Sequence, residues 1–321
     1  MIAYNNILRL FLVFILLTLF SQQVFPQSNI KASNDNNKIA FISDTQAPLF
    51  FEKWFIGSNR NEEASEILFH NILRENNLSA LFHLGDMTSI GSLNSSWKLF
   101  DKYLSELKSK KISVHPALGN HDYMIFKESA LKQFFKRFPE VKSSWYSIMI
   151  DSIAVIILNS NYSKFASEQI DNQIKWYIAE LDKLEKNPSV KIIIVGLHHS
   201  PYTNSTVVDP NSDMQNDVVP HYLKTSKCRL FISGHAHAFE HFKVNGKDFV
   251  VAGGGGGVQQ PFLMGSNARY EDLFPLKTEK RMFHYIFCLL ENDTLKISVK
   301  MLTEDFAKCD KVYEINVDCR K

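Results

Sequence analysis

Residues 113–122 read SVHPALGNHD, and residues 229–257 read RLFISGHAHAFEHFKVNGKDFVVAGGGGG. Each stretch opens on a short apolar run and stops at polar side chains able to bind metal. Three further runs do the same. IAFIS, residues 39–43, ends at Asp44, Thr45 and Gln46; LFHL, residues 81–84, ends at Gly85 and Asp86; IIIVGL, residues 192–197, ends at His198 and His199. Runs of this kind, apolar at successive positions and rich in β-branched residues, are expected of strands buried on both faces. The strands expected are 38–43, 80–85, 113–118, 191–197 and 229–233. In open α/β sheets the carboxyl ends of such strands are where ligands bind. One Gly-Asp after a strand is an ordinary turn. Five such endings in one chain point to a single site.

Between the runs, apolar residues recur at helical spacing over 62–75, 95–109, 128–138 and 169–185, as at Ile170, Ile174, Tyr177, Ile178 and Leu181. Three pairs of runs read as hairpins: 147–150 with 153–158, 241–244 with 247–252 around Asn245-Gly246, and 283–291 with 295–301. The expected fold is a mixed α/β layered domain, with two sheets inside and helices outside.

Composition narrows the function. Of 321 residues, 45% are hydrophobic and 22% charged, which excludes a disordered or fibrous chain. Lys plus Arg number 36 against 34 Asp plus Glu, a net charge of +2. That balance offers no footprint for nucleic acid, so no nucleic-acid partner is expected. Leu10–Phe20 is apolar except for Thr18, follows Arg9 and precedes Ser21-Gln22-Gln23. This is the layout of a signal peptide, expected over residues 1–27, with one domain over 28–321. The chain is then exported, periplasmic or secreted, with no stable membrane anchor after cleavage. The alternative is a tether by an uncleaved signal anchor. Export permits disulfides. Cys309 and Cys319 are the expected pair, and Cys228 and Cys288, in or beside apolar runs, suit buried thiols.

Asp44, Asp86, Asn120, one of His198 and His199, His235 and His237 offer two carboxylates, an amide oxygen and three imidazoles, and Gln46 a further oxygen. This exceeds the capacity of one tetrahedral ion and suits two ions sharing a carboxylate. Mixed nitrogen and oxygen ligation fits two divalent or trivalent transition metals, Fe, Zn, Mn or Co. Paired ions about 3.5–4 Å apart are a recurrent device of phosphoryl transfer.

In this order, Asp-x-Gln, Gly-Asp, Gly-Asn-His-Asp, His-His and Gly-His-Ala-His resemble the calcineurin-like metallophosphoesterases over roughly residues 38–260. The hairpin and glycine run after the last histidines are similar to the small purple acid phosphatases. The resemblance implies a four-layer α-β-β-α sandwich, two mixed β-sheets flanked by helices. It implies a metal-dependent hydrolase of phosphate esters in which a metal-bridging hydroxide attacks the substrate; with the leader, the expected protein is an exported phosphomonoesterase. The alternatives are a phosphodiesterase or nuclease, or a metal-binding protein without activity. It also implies the roles. One metal takes Asp44, Asp86 and His237, with Gln46 as an extra donor. The other takes Asp86, Asn120, His199 and His235. Asp86 bridges. His121 faces the phosphate as the general acid or as a donor to the transition state, and Asp122 holds its ring by a hydrogen bond.

His199 is preferred to His198 because His199-Ser200-Pro201 matches a His-x-Pro pattern, and strand alternation sends the two rings to opposite faces. Two positions depart from the family. Gln46 stands where His or Gly is usual, and Ser89 stands where the purple enzymes have Tyr. Without that phenolate no purple ferric colour is expected. His83 and His115 read as core residues, His70, His221 and His284 as structural, and His241 as part of a hairpin. The five glycines 253–257 fit equally a flexible turn or a backbone close to the metals. Thr203–Asn216 reads as a polar loop, and the Asn-x-Ser/Thr patterns, Asn161 among them, carry no weight.

Overall fold

A computed structural model describes residues 29–30, 37–49, 60–275, 278 and 280–320. The expected signal peptide, residues 1–27, lies outside the described residues.

The buried runs form strands because both of their faces are covered. In β2 (Lys38–Ile42; β1 is the two-residue strand Asn29–Ile30), Ile39 and Phe41 point into the space between two sheets, while Ala40 and Ile42 point to a helical layer. The same alternation runs along β7 (Ile192–His199): Ile192 and Ile194 face inward, Ile193, Val195 and Leu197 outward. Each fully buried aliphatic side chain of this kind stabilises by about 1.5–3 kcal/mol. A continuous apolar run is therefore the sequence such a strand requires.

One sheet orders its strands β13-β12-β11-β2-β3-β4, with β3 (Leu78–His83), β4 (Ser113–Pro116), β11 (His284–Glu291), β12 (Thr294–Leu302) and β13 (Cys309–Asp318). The other orders β1-β5-β6-β7-β8-β10-β9, with β5 (Tyr146–Ile150), β6 (Ile153–Ile157), β8 (Cys228–Gly234), β9 (Phe239–Val244) and β10 (Lys247–Ala252). Both sheets are mixed. β2, β3 and β4 are parallel neighbours, as are β6, β7, β8 and β10, while the hairpins add antiparallel pairs. The helices α1 (Asn61–Ile72), α2 (Lys98–Ser109) and α3 (Lys127–Arg137) contribute Leu68, Phe100 and Phe134 to the core against the first sheet. The second sheet is covered by α4 (Ser167–Lys186) and α5 (Val219–Lys224), through Tyr177, Leu181 and Tyr222. Three apolar layers thus separate four layers of secondary structure, the α-β-β-α sandwich.

Two elements had no clear signal in the sequence. β13 alternates charged and apolar residues because it is an edge strand with only Ile315 and Val317 well buried. Residues 214–224, partly assigned to a polar loop, form a π-helical turn and α5. The expected Cys309–Cys319 pair does not form, and all four cysteines are free. Cys309 begins β13 and Cys319 follows its last residue. At about 3.3 Å per residue, ten residues of extended chain hold their Cα atoms roughly 30 Å apart, and a disulfide needs less than about 7 Å.

Candidate metal centre

The parallel strands of both sheets end at one edge, and their last residues turn sharply. Asp44 (φ 58°), Asp86 (φ 56°) and His235 (φ 68°) all adopt left-handed backbone. Such conformations cost non-glycine residues free energy and cluster at functional sites. Gly85 (φ 99°) makes the turn before Asp86 possible; a Cβ there would stand 2.6 Å from the Gly119 nitrogen.

The turns bring the side chains together. Asp44, Asp86 and His198 form one group of ligand atoms within 4.8 Å of one another, and His198, His199 and His235 form a second. His198 Nδ1 is 2.9 Å from the Leu84 carbonyl, which leaves Nε2 facing the Asn120 Oδ1 at 3.0 Å and Asp86 Oδ2 at 3.4 Å. His237 repeats the pattern. Its Nδ1 is 2.7 Å from the Val258 carbonyl, and its Nε2 is 3.4 Å from Asp44 Oδ1 and 3.3 Å from Gln46 Nε2. A ring nitrogen tied to a backbone carbonyl, with the other aimed at carboxylates, is the usual arrangement of a metal-binding imidazole. Asp44 Oδ1 and Gln46 Oε1 are buried without a hydrogen-bond partner. Buried oxygens are rarely left so, and a cation between them would satisfy both.

Strand alternation does not separate His198 from His199. The pairing of β7 with β8 shifts between Leu197 and His199, opposite Ser233 and Gly234. This bulge turns both rings to the metal side, with centroids 4.9 Å apart, and the His199 ring lies 4.4 Å from that of His235. Burial disfavours the charged form of His198, but Asp86 and then Asp44 outweigh it and carry the ring up to about 9. Burial, then the His198 charge, pushes His199 down to about 3, and His235 falls well below the usual range for the same reasons. Asp86, although buried, is held well below the usual carboxylate range by the His198 charge.

Asp122 does not hold the His121 ring. His121 Nδ1 sits 3.0 Å from the carbonyl of Ser89. The Asp122 carboxylate instead accepts the backbone N–H groups of Asp86 (2.8 Å), Met87 (3.0 Å) and Gly119 (2.9 Å). It is fully buried and ties the end of β3 to the turn after β4. Its two oxygens are committed to those amides, so the part assigned to it falls to the Ser89 carbonyl. The Ser89 hydroxyl, in the position of the missing Tyr, donates to the Ala47 carbonyl at 2.5 Å.

The glycine run is packed backbone. Gly257 N donates to the Asp44 carbonyl at 2.7 Å, and a Cβ on Gly257 would stand 2.5 Å from the His237 ring. Asn61 and Ser65 of α1 donate to the carbonyls of residues 255–257. A sixth strand end, that of β6, joins the five read from the sequence. β6 finishes at Asn159-Ser160-Asn161, where the Ser160 hydroxyl is 2.8 Å from His199 Nδ1 and Asn161 donates to the Leu118 carbonyl. Its signal was the same as in the other five: an apolar run closing in polar residues. His83 and His115 are buried core residues, as read.

A family model described as calcineurin-like phosphoesterase matches residues 37–239. The chain therefore belongs to the calcineurin-like phosphoesterase family. It is 23% identical over 169 residues to purple acid phosphatase 22 of Arabidopsis thaliana, covering 50% of this chain and 38% of that protein. The chain thus spans well under half the length of that relative. It is 23% identical over 173 residues to the UDP-2,3-diacylglucosamine hydrolase of Shewanella frigidimarina, covering 50% of this chain and 68% of that enzyme. Among solved structures it resembles GAP50 of Plasmodium, with a TM-score of 0.68 at 16% identity over 90% of both chains, a likeness of fold.

Proposed function

We propose that the chain is an exported phosphomonoesterase working with two transition-metal ions. The observation that carries this reading is the convergence at one sheet edge of carboxylates, imidazoles and two unpartnered buried oxygens. Asp44, Asp86, His237 and Gln46 would hold the first ion. Asp86, Asn120, His198, His199 and His235 would hold the second. Such ions supply an ionised water near neutrality and neutralise phosphoryl charge. The neighbouring residues do the rest. Asp122 fixes the backbone that presents Asp86. The Ser89 carbonyl accepts a hydrogen bond from His121 Nδ1–H, so the ring in its imidazolium form would turn Nε2–H to the leaving alkoxide, give it that proton and remain as the neutral Nδ1–H imidazole. Export rests on the leader over residues 1–27.

The test pairs Zn, Mn, Fe and Co with mono- and diesters on the mature chain. The UDP-linked substrate in the Shewanella enzyme's name is the reason to include diesters. Turnover of monoesters, abolished by chelation at two ions per chain, is expected. In His121→Ala, turnover should fall roughly 10²–10⁴-fold with metal content kept. Full activity with one ion, or no ester hydrolysed with any metal, would overturn the reading.

A further inference from the structure

Eight large apolar side chains among the described residues are exposed, and five of them, Leu93, Ile125, Phe126, Val207 and Met264, sit in loops that leave the metal edge. Of the other three, Ile178 lies on α4 and Val312 on β13, while Leu273 lies further along the Met264 loop, where its N–H donates to the His241 carbonyl of β9. Single exposed apolar residues are ordinary, whereas a group of them in one place marks a binding surface.

The five make two lips. On the side of the first sheet, the Gly91 N–H donates to the His121 carbonyl at 2.9 Å, and the Ser129 hydroxyl donates to the Ser92 carbonyl at 3.1 Å. The loop bearing Leu93 is thereby fastened to the turn bearing His121, Ile125 and Phe126. On the side of the second sheet, the Ser205–Phe262 bridge and the Leu263 N–H to Asn204 carbonyl bond (2.8 Å) join the loop of Val207 to that of Met264. A cavity of about 520 Å³ lies beside this second lip, lined by the apolar Phe262, Leu263 and Met264 and also by Glu271, Asp272 and Arg281. The Gln260 N–H donates to the His237 carbonyl at 3.4 Å and the Ser205 hydroxyl donates to Gln260 Oε1 at 2.7 Å, so the second lip is tied to the turn of His237 as the first is to that of His121.

The first lip is held out against local preference. Ile125 has φ 72°, a conformation in which a β-branched residue is an outlier. Phe126, the next residue, stands at the N-cap of α3. Phe126 is 67% exposed and Ile125 59%, so neither choice serves the core. Ile125 lies four residues from His121, and backbone strain of this sort clusters at functional sites.

We propose that these lips grip an apolar leaving group, so that the substrate is an amphipathic phosphate ester of the lipid-phosphate class. The phosphate enters the metal centre, and the chain lies across Phe126 and Ile125 on one side and Val207 and Met264 on the other. The proposal rests on the phosphoesterase reading, and its test separates the two.

The test uses butyl, octyl and dodecyl phosphate, each below its micelle concentration and with no bilayer present. Every methylene buried is worth up to roughly fourfold. Wild-type kcat/KM is expected to rise at least tenfold from butyl to dodecyl phosphate. Phe126→Ser and, on the opposite lip, Val207→Ser should flatten the rise, with thermal melting as the check on folding. Calorimetric binding of the same three esters to the chelator-treated protein reads the surface without turnover. Tighter binding of the dodecyl ester, weakened in Phe126→Ser, supports the lips even if no metal gives activity. Hydrolysis or binding equal for all three chain lengths overturns the proposal and leaves the phosphoesterase reading intact. Association with neutral phosphatidylcholine vesicles and no chain-length dependence also overturns it, and assigns the lips to a membrane surface.

Discussion

Replacing Asp122 with Ala should unfold the protein more readily than it should disturb the acid. The carboxylate is fully buried and receives three backbone N–H groups, from Asp86, Met87 and Gly119. Removing it leaves three buried donors unmet, at about 1–3 kcal/mol each. The loss is offset in part, because Asp122 also stands beside the Asp86 charge: burial, then that charge, pushes its carboxyl up to about 8. Taking the middle of that range for each amide and allowing for that relief, the net cost is about 3 kcal/mol. His121→Ala removes a half-exposed ring with one backbone contact, and its cost should stay below about 1 kcal/mol. The assay is urea unfolding of both variants in chelator, followed by metal content and turnover. Asp122→Ala should lose stability, metal and turnover together. If instead it unfolds like the wild type, binds two ions and loses turnover to the same extent as His121→Ala, then Asp122 orients the acid and the backbone role assigned to it is wrong.

Loaded with iron, the protein should show no intense visible band, because Ser89 stands where a phenolate would be and its hydroxyl is engaged with Ala47; a band that moves when a tyrosine is replaced would refute this. Buried His83, His115 and His284 are pushed down to about 3, 4 and 4 respectively by burial. Their folded values lie below the unfolded value of about 6.5, so the unfolded chain takes up protons first, and their contribution to stability is lost as pH falls from about 6.5 towards 4. Urea midpoints of the chelated protein at pH 7, 6 and 5 should therefore decline, less steeply in His115→Gln; a midpoint that rises towards pH 5 would contradict the assignment.

What the chain shows by itself is local. A strand buried on both faces must be apolar throughout, so IAFI, LFHL and IIIVGL announce themselves, and the polar residues that follow each run mark where the strand leaves the core. Asn245-Gly246 states its own turn. The convergence of Asp44, Asp86, Asn120 and the histidines followed from these runs together with the family motifs. Four things belonged to the tertiary structure alone, because each depends on a partner remote in sequence. The bulge that sets His198 beside His199 is a mismatch between β7 and β8. The duty of Asp122 is set by amides 35 and 36 residues away. The glycine run is tight because α1 and Asp44 press on it from 190 or more positions upstream. Cys309 and Cys319, near neighbours in the sequence, are held apart by the extended strand between them.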